Sequence, residues 1–431
     1  MSGVALLDRL QRWLVREHWL TGAALTRILL GTWALYYYAL HLPVRGVLWG
    51  PDGWWPFERF VAARPVLSVW AFSSSPAYAE ALYLVGIAVA AAYTLGWHAR
   101  LMGALHWLAV WSLQERNPFI GDGGDNLMRI VLLFLVLVDA GARLSVDARR
   151  PRRVSPLWVR EVAAVAHNVG VVLVVAQLAL LYASTGLYKA AGELWQNGTA
   201  LYYILRVDEF SNPALAATVY RSPYLVVGGT YGTVLFEVMF PAALFNPWTR
   251  GVLIVTGVLF HVGIAVLMGL VTFAWSMLSL YPLLLTDAQY RRAGAWVEGR
   301  WSLTVFYDGW CADCRRSIAV LRAADLTGLV RFVSFREPGV AELFALDPRR
   351  LERRIHSVRP DGAVREGMDV MVQVAGRAVL LWPLAPLLAA LRLAAGQRVY
   401  DLLAARRTVL VPPACGNVCA AAGRRRPSPE P

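Results

Sequence analysis

Residues 251–285 contain no Asp, Glu, Lys or Arg. No other feature constrains the fold of this chain as tightly. As a single helix the run would extend about 52 Å, at roughly 1.5 Å per residue, whereas a bilayer core is only about 30 Å thick. It is therefore expected to turn near Gly269 into two helices, 251–268 and 270–286; a single kinked helix is the competing reading and would reverse the final orientation. Further apolar stretches lie at 22–42, 77–95, 101–113, 127–139, 160–187 and 223–245. Together they predict an all-α multi-pass membrane bundle of about eight helices. The stretches at 101–113 and 127–139 fall short of the roughly 20 residues a crossing needs.

Composition agrees with a membrane solvent. The chain is 57% hydrophobic and 16% charged, against about 25% charged in soluble domains. Its 18 Trp and 17 Tyr suit the two bilayer interfaces. The net charge of +13 sits mainly beside apolar segments. That placement points to lipid headgroups and orientation signals and argues against nucleic acid. Residues 1–20 place Leu6, Leu10, Trp13, Leu14 and Leu20 opposite Arg9, Arg12 and Arg16, the pattern of an interfacial helix. The run Arg149, Arg150, Arg152 and Arg153 follows the fourth stretch, and Arg291, Arg292 and Arg300 follow the eighth. Eight crossings would put these and the N-terminus on one side. Both termini are thus expected in the cytoplasm, with the protein integral to a bacterial plasma membrane.

Beyond residue 288 the pattern changes. A linker at 289–301 leads to a smaller α/β domain at 302–410 and an Arg/Pro-rich tail at 411–431, so the expected layout is 1–20, 21–288, 289–301, 302–410 and 411–431. Residues 303–307 and 329–335 read as strands around a helix near 317–323. Pro360-Asp361-Gly362 is a turn signal, and 380–395 reads as an apolar helix.

All four cysteines lie in this part: Cys311, Cys314, Cys415 and Cys419. Cys311-Ala312-Asp313-Cys314 follows a strand and opens a helix, the context in which a Cys-x-x-Cys pair is redox-active. The unpaired N–H groups at a helix start favour thiolate, so Cys311 is expected to attack and Cys314 to resolve the mixed disulfide. The alternative is a structural zinc site built from Cys311, Cys314, Cys415 and Cys419.

Tyr307-Asp308-Gly309-Trp310-Cys311-Ala312-Asp313-Cys314 resembles the signature of the DCC family of thiol-disulfide oxidoreductases. Asp361-Gly362, Gly367-Met368-Asp369 and the 400–407 helix are similar to that family as well. The resemblance implies a thioredoxin-like fold, catalytic Cys311 and Cys314, a supporting Asp308, and a thiol- or disulfide-bearing protein partner.

The membrane part resembles the HTTM domain, the transmembrane module shared with vitamin K-dependent γ-carboxylase. The likeness rests on Arg27-Ile28-Leu29-Leu30-Gly31, Arg116-Asn117-Pro118, Gly123-Gly124-Asp125-Asn126, Tyr182 to Lys189, Trp195 to Ala200, and Phe260-His261. It implies that Lys189 is a base and that the bundle takes a quinone or another lipid-soluble substrate. Ala142 stands where the carboxylase has a histidine, which argues against γ-carboxylation itself. His261 lies in the longest uncharged run, where a polar group marks a site or a satisfied packing position. Arg27 and Arg129 are expected to snorkel to the interface. Three functions stay open at this point. The first is membrane-linked thiol–disulfide exchange. The second is carboxylase- or epoxidase-like chemistry at Lys189. The third is a non-enzymatic binding or immunity protein with the zinc site.

Overall fold

The computed structural model describes residues 3–63, 67–151, 155–344, 346–394 and 396–405. The chain divides into two compact units, Met1–Tyr290 and Arg291–Pro431.

The first unit is helical throughout its described residues. Its principal helices are α1 (Gly3–Leu14), α2 (Leu20–His41), α3 (Pro76–Leu95), α4 (Ala99–Arg116), α5 (Gly123–Leu135), α6 (Leu157–Ala190), α7 (Pro223–Ala243), α8 (Pro247–Met268) and α9 (Val271–Leu278). Each expected apolar stretch is largely helical, but among the described residues only α3, α6, α7 and α8 are by themselves long and apolar enough to cross a membrane. These four helices do not confirm the expected count of about eight. The 22-residue α2 is made less apolar by Arg27 and the Tyr36–Tyr38 run, α4 carries charges at both ends, and α5 and α9 are too short. Four crossings, an even number, would still leave the two ends of the unit on one side, but Arg149 and Arg150, which follow only α3 of the four, would then fall on the other. The interfacial helix is also shorter than expected, because α1 stops at Leu14 and Trp19 adopts a left-handed conformation before α2. The uncharged run does divide where the length argument requires. Gly269, at φ +71°, ends α8, and α9 begins two residues later.

Arg27 does not snorkel. It is completely buried, with its guanidinium donating to the carbonyls of Tyr93, Thr94 and Leu144 at 3.0, 2.9 and 2.5 Å. Tyr93 and Thr94 lie in the last turn of α3 and Leu144 lies in the segment after α5, so one buried side chain satisfies several backbone acceptors. One helical turn on, a Cβ at Gly31 would lie 2.2 Å from Thr94 Oγ1. Arg27 and Gly31 therefore dock α2 against α3. Arg129 instead pairs with Glu115 at 3.0 Å. Arg116 and Asn117 likewise bind the carbonyls of Gly50, Trp55 and Leu48. Asp122 and Asp125 form a capping box at the start of α5. The core joins Leu30, Trp33, Tyr83, Met128, Val174 and Phe240.

The second unit begins in α10 (Asp287–Trp301), which spans the division. It continues with β1 (Leu303–Tyr307), α11 (Ala312–Ala324), β2 (Val330–Ser334), β3 (His356–Val358), β4 (Val364–Glu366), α12 (Met368–Ala375), α13 (Ala385–Ala394) and α14 (Gly396–Ala405). The sheet order is β2-β1-β3-β4. Strands β1 and β2 are parallel, joined by α11, while β3 runs antiparallel to both β1 and β4. Leu303, Val305, Ile318, Val330, Phe332, Val370 and Val374 form the core between sheet and helices.

Candidate functional site

Two candidate sites emerge, one in each unit. In the second unit β1 ends at Tyr307, and the chain must turn sharply to start α11. Asp308 organises that turn. Its carboxylate accepts the Trp310 N–H at 3.0 Å and its carbonyl accepts the Cys311 N–H at 3.3 Å. Gly309 is required by space, since a Cβ there would lie 2.3 Å from Ser334 Oγ. Cys311 is the N-cap of α11, and its Sγ accepts the Cys314 N–H at 3.2 Å. A sulfur in this position meets the positive end of the helix dipole.

Burial separates the two sulfurs. Cys311 is 0% exposed, whereas Cys314 is partly open, and no disulfide joins the two. Cys314 lines a cavity of about 460 Å³ with an apolar wall that includes Phe306, Ile318, Leu351, Met368 and Tyr400. The thiol that a ligand in this cavity would meet is thus Cys314.

Sequence reasoning missed Arg336. Its guanidinium donates to both Asp308 oxygens at 3.1 and 2.9 Å and to Glu352 at 2.9 Å. It also stacks 4.6 Å from the Trp310 ring centre. Burial works against its charge, but the hydrogen bonds to Asp308 and Glu352 outweigh this and hold its pKa above the ordinary arginine value. Asp308 is 5% exposed and fully engaged, so it positions the cysteine turn. Asp308→Ala is expected to destabilise this unit by about 3 kcal/mol, because it strands a half-buried guanidinium and frees the turn. Urea unfolding followed by proteolysis of the second unit measures this, and an unchanged midpoint would refute the positioning role.

No group of His, Cys, Asp or Glu among the described residues could hold a metal ion. Cys415 and Cys419 lie outside the described residues, and with them the four-cysteine zinc alternative.

The second site lies in the membrane unit. Tyr182, Gly186 and Lys189 fall on one face of α6, at spacings of four and three residues. A Cβ on Gly186 would lie 2.9 Å from Glu237 Cβ and from Val238 N. This glycine lets α7 approach closely enough for Lys189 Nζ to reach both Glu237 oxygens, at 2.9 and 2.7 Å. The Glu237 side chain is 6% exposed and that of Lys189 is 23% exposed. The ammonium also lies 5.5 Å from the Trp195 ring centre. Gly186→Leu should overpack this crossing and cost about 1–3 kcal/mol. The thermal midpoint of the purified protein reports it, and an unchanged value would contradict the close approach.

His261 and Lys189 line the same cavity, of about 670 Å³, together with Tyr182, Glu237, Phe236 and Phe273. His261 is 1% exposed. Its Nε2 is 2.6 Å from the Tyr182 hydroxyl, which is 2.9 Å from the Tyr281 hydroxyl. Its Nδ1 has no protein partner. Glu237 and Tyr281 were not singled out from sequence. A lone Glu in α7 had no motif around it, although its placement in an apolar helix marked it by the cost of an unpaired charge in lipid.

Residues 61–288 match the HTTM domain, over half of the chain. The protein belongs to the HTTM family. Residues 305–411 match the DCC1-like thiol-disulfide oxidoreductase family, so the two domains follow one another as their motifs suggested. The chain is 30% identical over 210 residues to the uncharacterized protein YitO of Bacillus subtilis (strain 168), covering 47% of this chain and 65% of that one. It is 25% identical over 212 residues to the sporulation-delaying protein SdpB of the same organism, covering 47% and 62%. The chain thus spans less than two thirds of the length of these relatives. No solved structure matches it. With its apolar helices and these two domains, the chain is a membrane protein carrying a thiol-disulfide oxidoreductase domain.

Proposed function

We propose that this protein catalyses thiol–disulfide exchange at Cys311 and Cys314, on a domain anchored to the membrane by the HTTM helices. The observation that carries the reading is the sulfur geometry: Cys311 caps α11 and accepts the Cys314 N–H, while Cys314 opens onto an apolar cavity. The parallel β1–α11–β2 unit supports the thioredoxin-like reading of the fold. In one turnover two thiols become the Cys311–Cys314 disulfide. The two electrons and two protons pass to a partner disulfide, which becomes two thiols. The burial of Cys311 favours an order opposite to the one expected from sequence, with Cys314 meeting the substrate and Cys311 resolving. A cytoplasmic position for this domain rests on the basic residues beside the apolar segments and belongs to the same proposal.

The membrane cavity favours a second, compatible role. Its apolar wall, the Lys189–Glu237 pair and the Tyr182–His261 contact suit a lipid-soluble ligand with a polar head, such as a quinone. Bound there, a quinone would supply two-electron, two-proton exchange. Lys189 and Glu237 would hold or move a proton, and Phe236 and Phe273 would exclude water. In the carboxylase-like variant of this reading, Lys189 is the base.

A redox titration of the full-length protein in nanodiscs, with and without menaquinone, tests both roles. Alkylation of Cys311 and Cys314 should follow a single two-electron transition. Reoxidation of the pair by menaquinone would tie the membrane unit to the thiols. Failure of the pair to form a reversible disulfide would end the exchange reading, and stoichiometric zinc in the purified protein would replace it.

A further inference from the structure

Residues 379–394 of the second unit contain one charged residue, Arg392. They form a 3-10 segment, Val379–Leu384, that leads into α13. Leu380, Trp382, Leu384, Leu387 and Leu393 are 59%, 55%, 48%, 57% and 80% exposed. Such a run of exposed large apolar side chains, an apolar ridge along the chain, marks an interaction surface on a folded domain. Beside Leu387 on α13, Leu388 and Leu391 line the cavity that holds Cys314.

We propose that this ridge docks the second unit onto the lipid surface, with Leu380, Trp382, Leu384, Leu387 and Leu393 seated at the boundary of headgroups and acyl chains. Three observations select lipid as the occupant. The chain carries four helices able to cross a membrane, so a bilayer is covalently close to this unit at all times. Val379–Leu393 with Gly396–Leu402 reaches the apolarity of a membrane span while bending by 97°. The bend, Pro383 and Pro386 suit a segment that lies in the interface and does not cross. Exposed Arg392, within the ridge and 3.5 Å from Asp369, and exposed Arg398 just beyond it stand where anionic headgroups would meet them. Leucine and tryptophan beside arginine is the composition of an interfacial anchor. Leu391 is itself 43% exposed and belongs to both ridge and cavity wall. Docking therefore brings the Cys314 cavity to the bilayer surface, within reach of thiols carried by membrane proteins.

Photo-crosslinking tests the surface without reference to redox activity, so its result stands whether or not the exchange reading holds. The full-length protein is placed in nanodiscs containing phosphatidylglycerol, with benzoylphenylalanine replacing Leu387 in one variant and Asp361, on the exposed β3–β4 turn, in another. Irradiation should give phospholipid adducts at position 387 and none at 361. With the photo-residue at position 384, Leu387→Glu should reduce the lipid adduct several-fold. Adducts at 387 to peptide, from this chain or a second copy, would overturn the proposal in favour of a protein partner. Equal lipid labelling at 387 and 361, no adduct at 387, or an adduct indifferent to Leu387→Glu would overturn it as well.

Discussion

Cys311→Ser is expected to abolish turnover and to accumulate a mixed disulfide between Cys314 and its substrate. The reason is access. Cys311 has no exposed surface, and Cys314 lines the cavity through which an apolar disulfide would approach. Exchange proceeds by in-line attack of a thiolate on a disulfide sulfur, so the attacking sulfur must be reachable. Once Cys314 is joined to substrate, Cys311 is the neighbour that releases it. Its seat at the N-cap of α11 sets its sulfur against the Cys314 N–H, three residues from the sulfur it must reach. Cys314→Ser should also fall to the background rate, but without a trapped adduct, because Cys311 stays behind the turn that Asp308 and Arg336 hold. The measurement is mass spectrometry of the full chain, with Cys415 and Cys419 already changed to serine, after reaction with a disulfide peptide. An adduct on Cys311 in the Cys314→Ser chain would reverse the order and restore the roles expected from sequence. Turnover by either single variant would remove the pair from the mechanism altogether.

Lys189→Met should lower the stability of the membrane unit by an amount toward the lower end of ~3–5 kcal/mol. It leaves the Glu237 carboxylate, 6% exposed, without the ammonium that engages both its oxygens. The partial exposure of Lys189 is what moderates the loss. Lys189→Met combined with Glu237→Leu should recover most of it, since removing both charges removes the desolvation cost. Thermal unfolding in a single detergent compares the three proteins, and a double variant as weak as the single one would show that the pair is not the cause. Lys189→Arg separates structure from chemistry. A guanidinium can keep the pair with Glu237, so stability should hold, but it cannot deprotonate in the working range. If Lys189 is a base, turnover of a lipid-soluble substrate falls to background in that variant. Full turnover would leave Lys189 as a structural partner of Glu237.

The sequence determined much about this chain by itself. An uncharged run of this length must break, and Gly269 is the residue that can take the left-handed turn; both follow from helix rise and backbone sterics. The strand–turn–helix reading around Cys311 needed only alternation, Asp308-Gly309 and the cysteine spacing. The membrane motifs were also legible, although most of their residues prove structural: Arg27 and Gly31 seat α2 on α3, and Arg116 and Asn117 satisfy loop carbonyls. Local pattern could not say which helices cross. Crossing depends on how much of a charge is hidden by neighbours, and Arg27 looked like an interfacial residue until carbonyls distant in sequence enclosed it. Tertiary structure alone decided the partners. Lys189 lies 48 residues from Glu237, and Asp308 lies 28 residues from Arg336. It also decided which sulfur of the Cys311–Cys314 pair faces the cavity, because the cavity wall is completed by residues distant in sequence, Leu351, Met368 and Tyr400, and no local spacing encodes that.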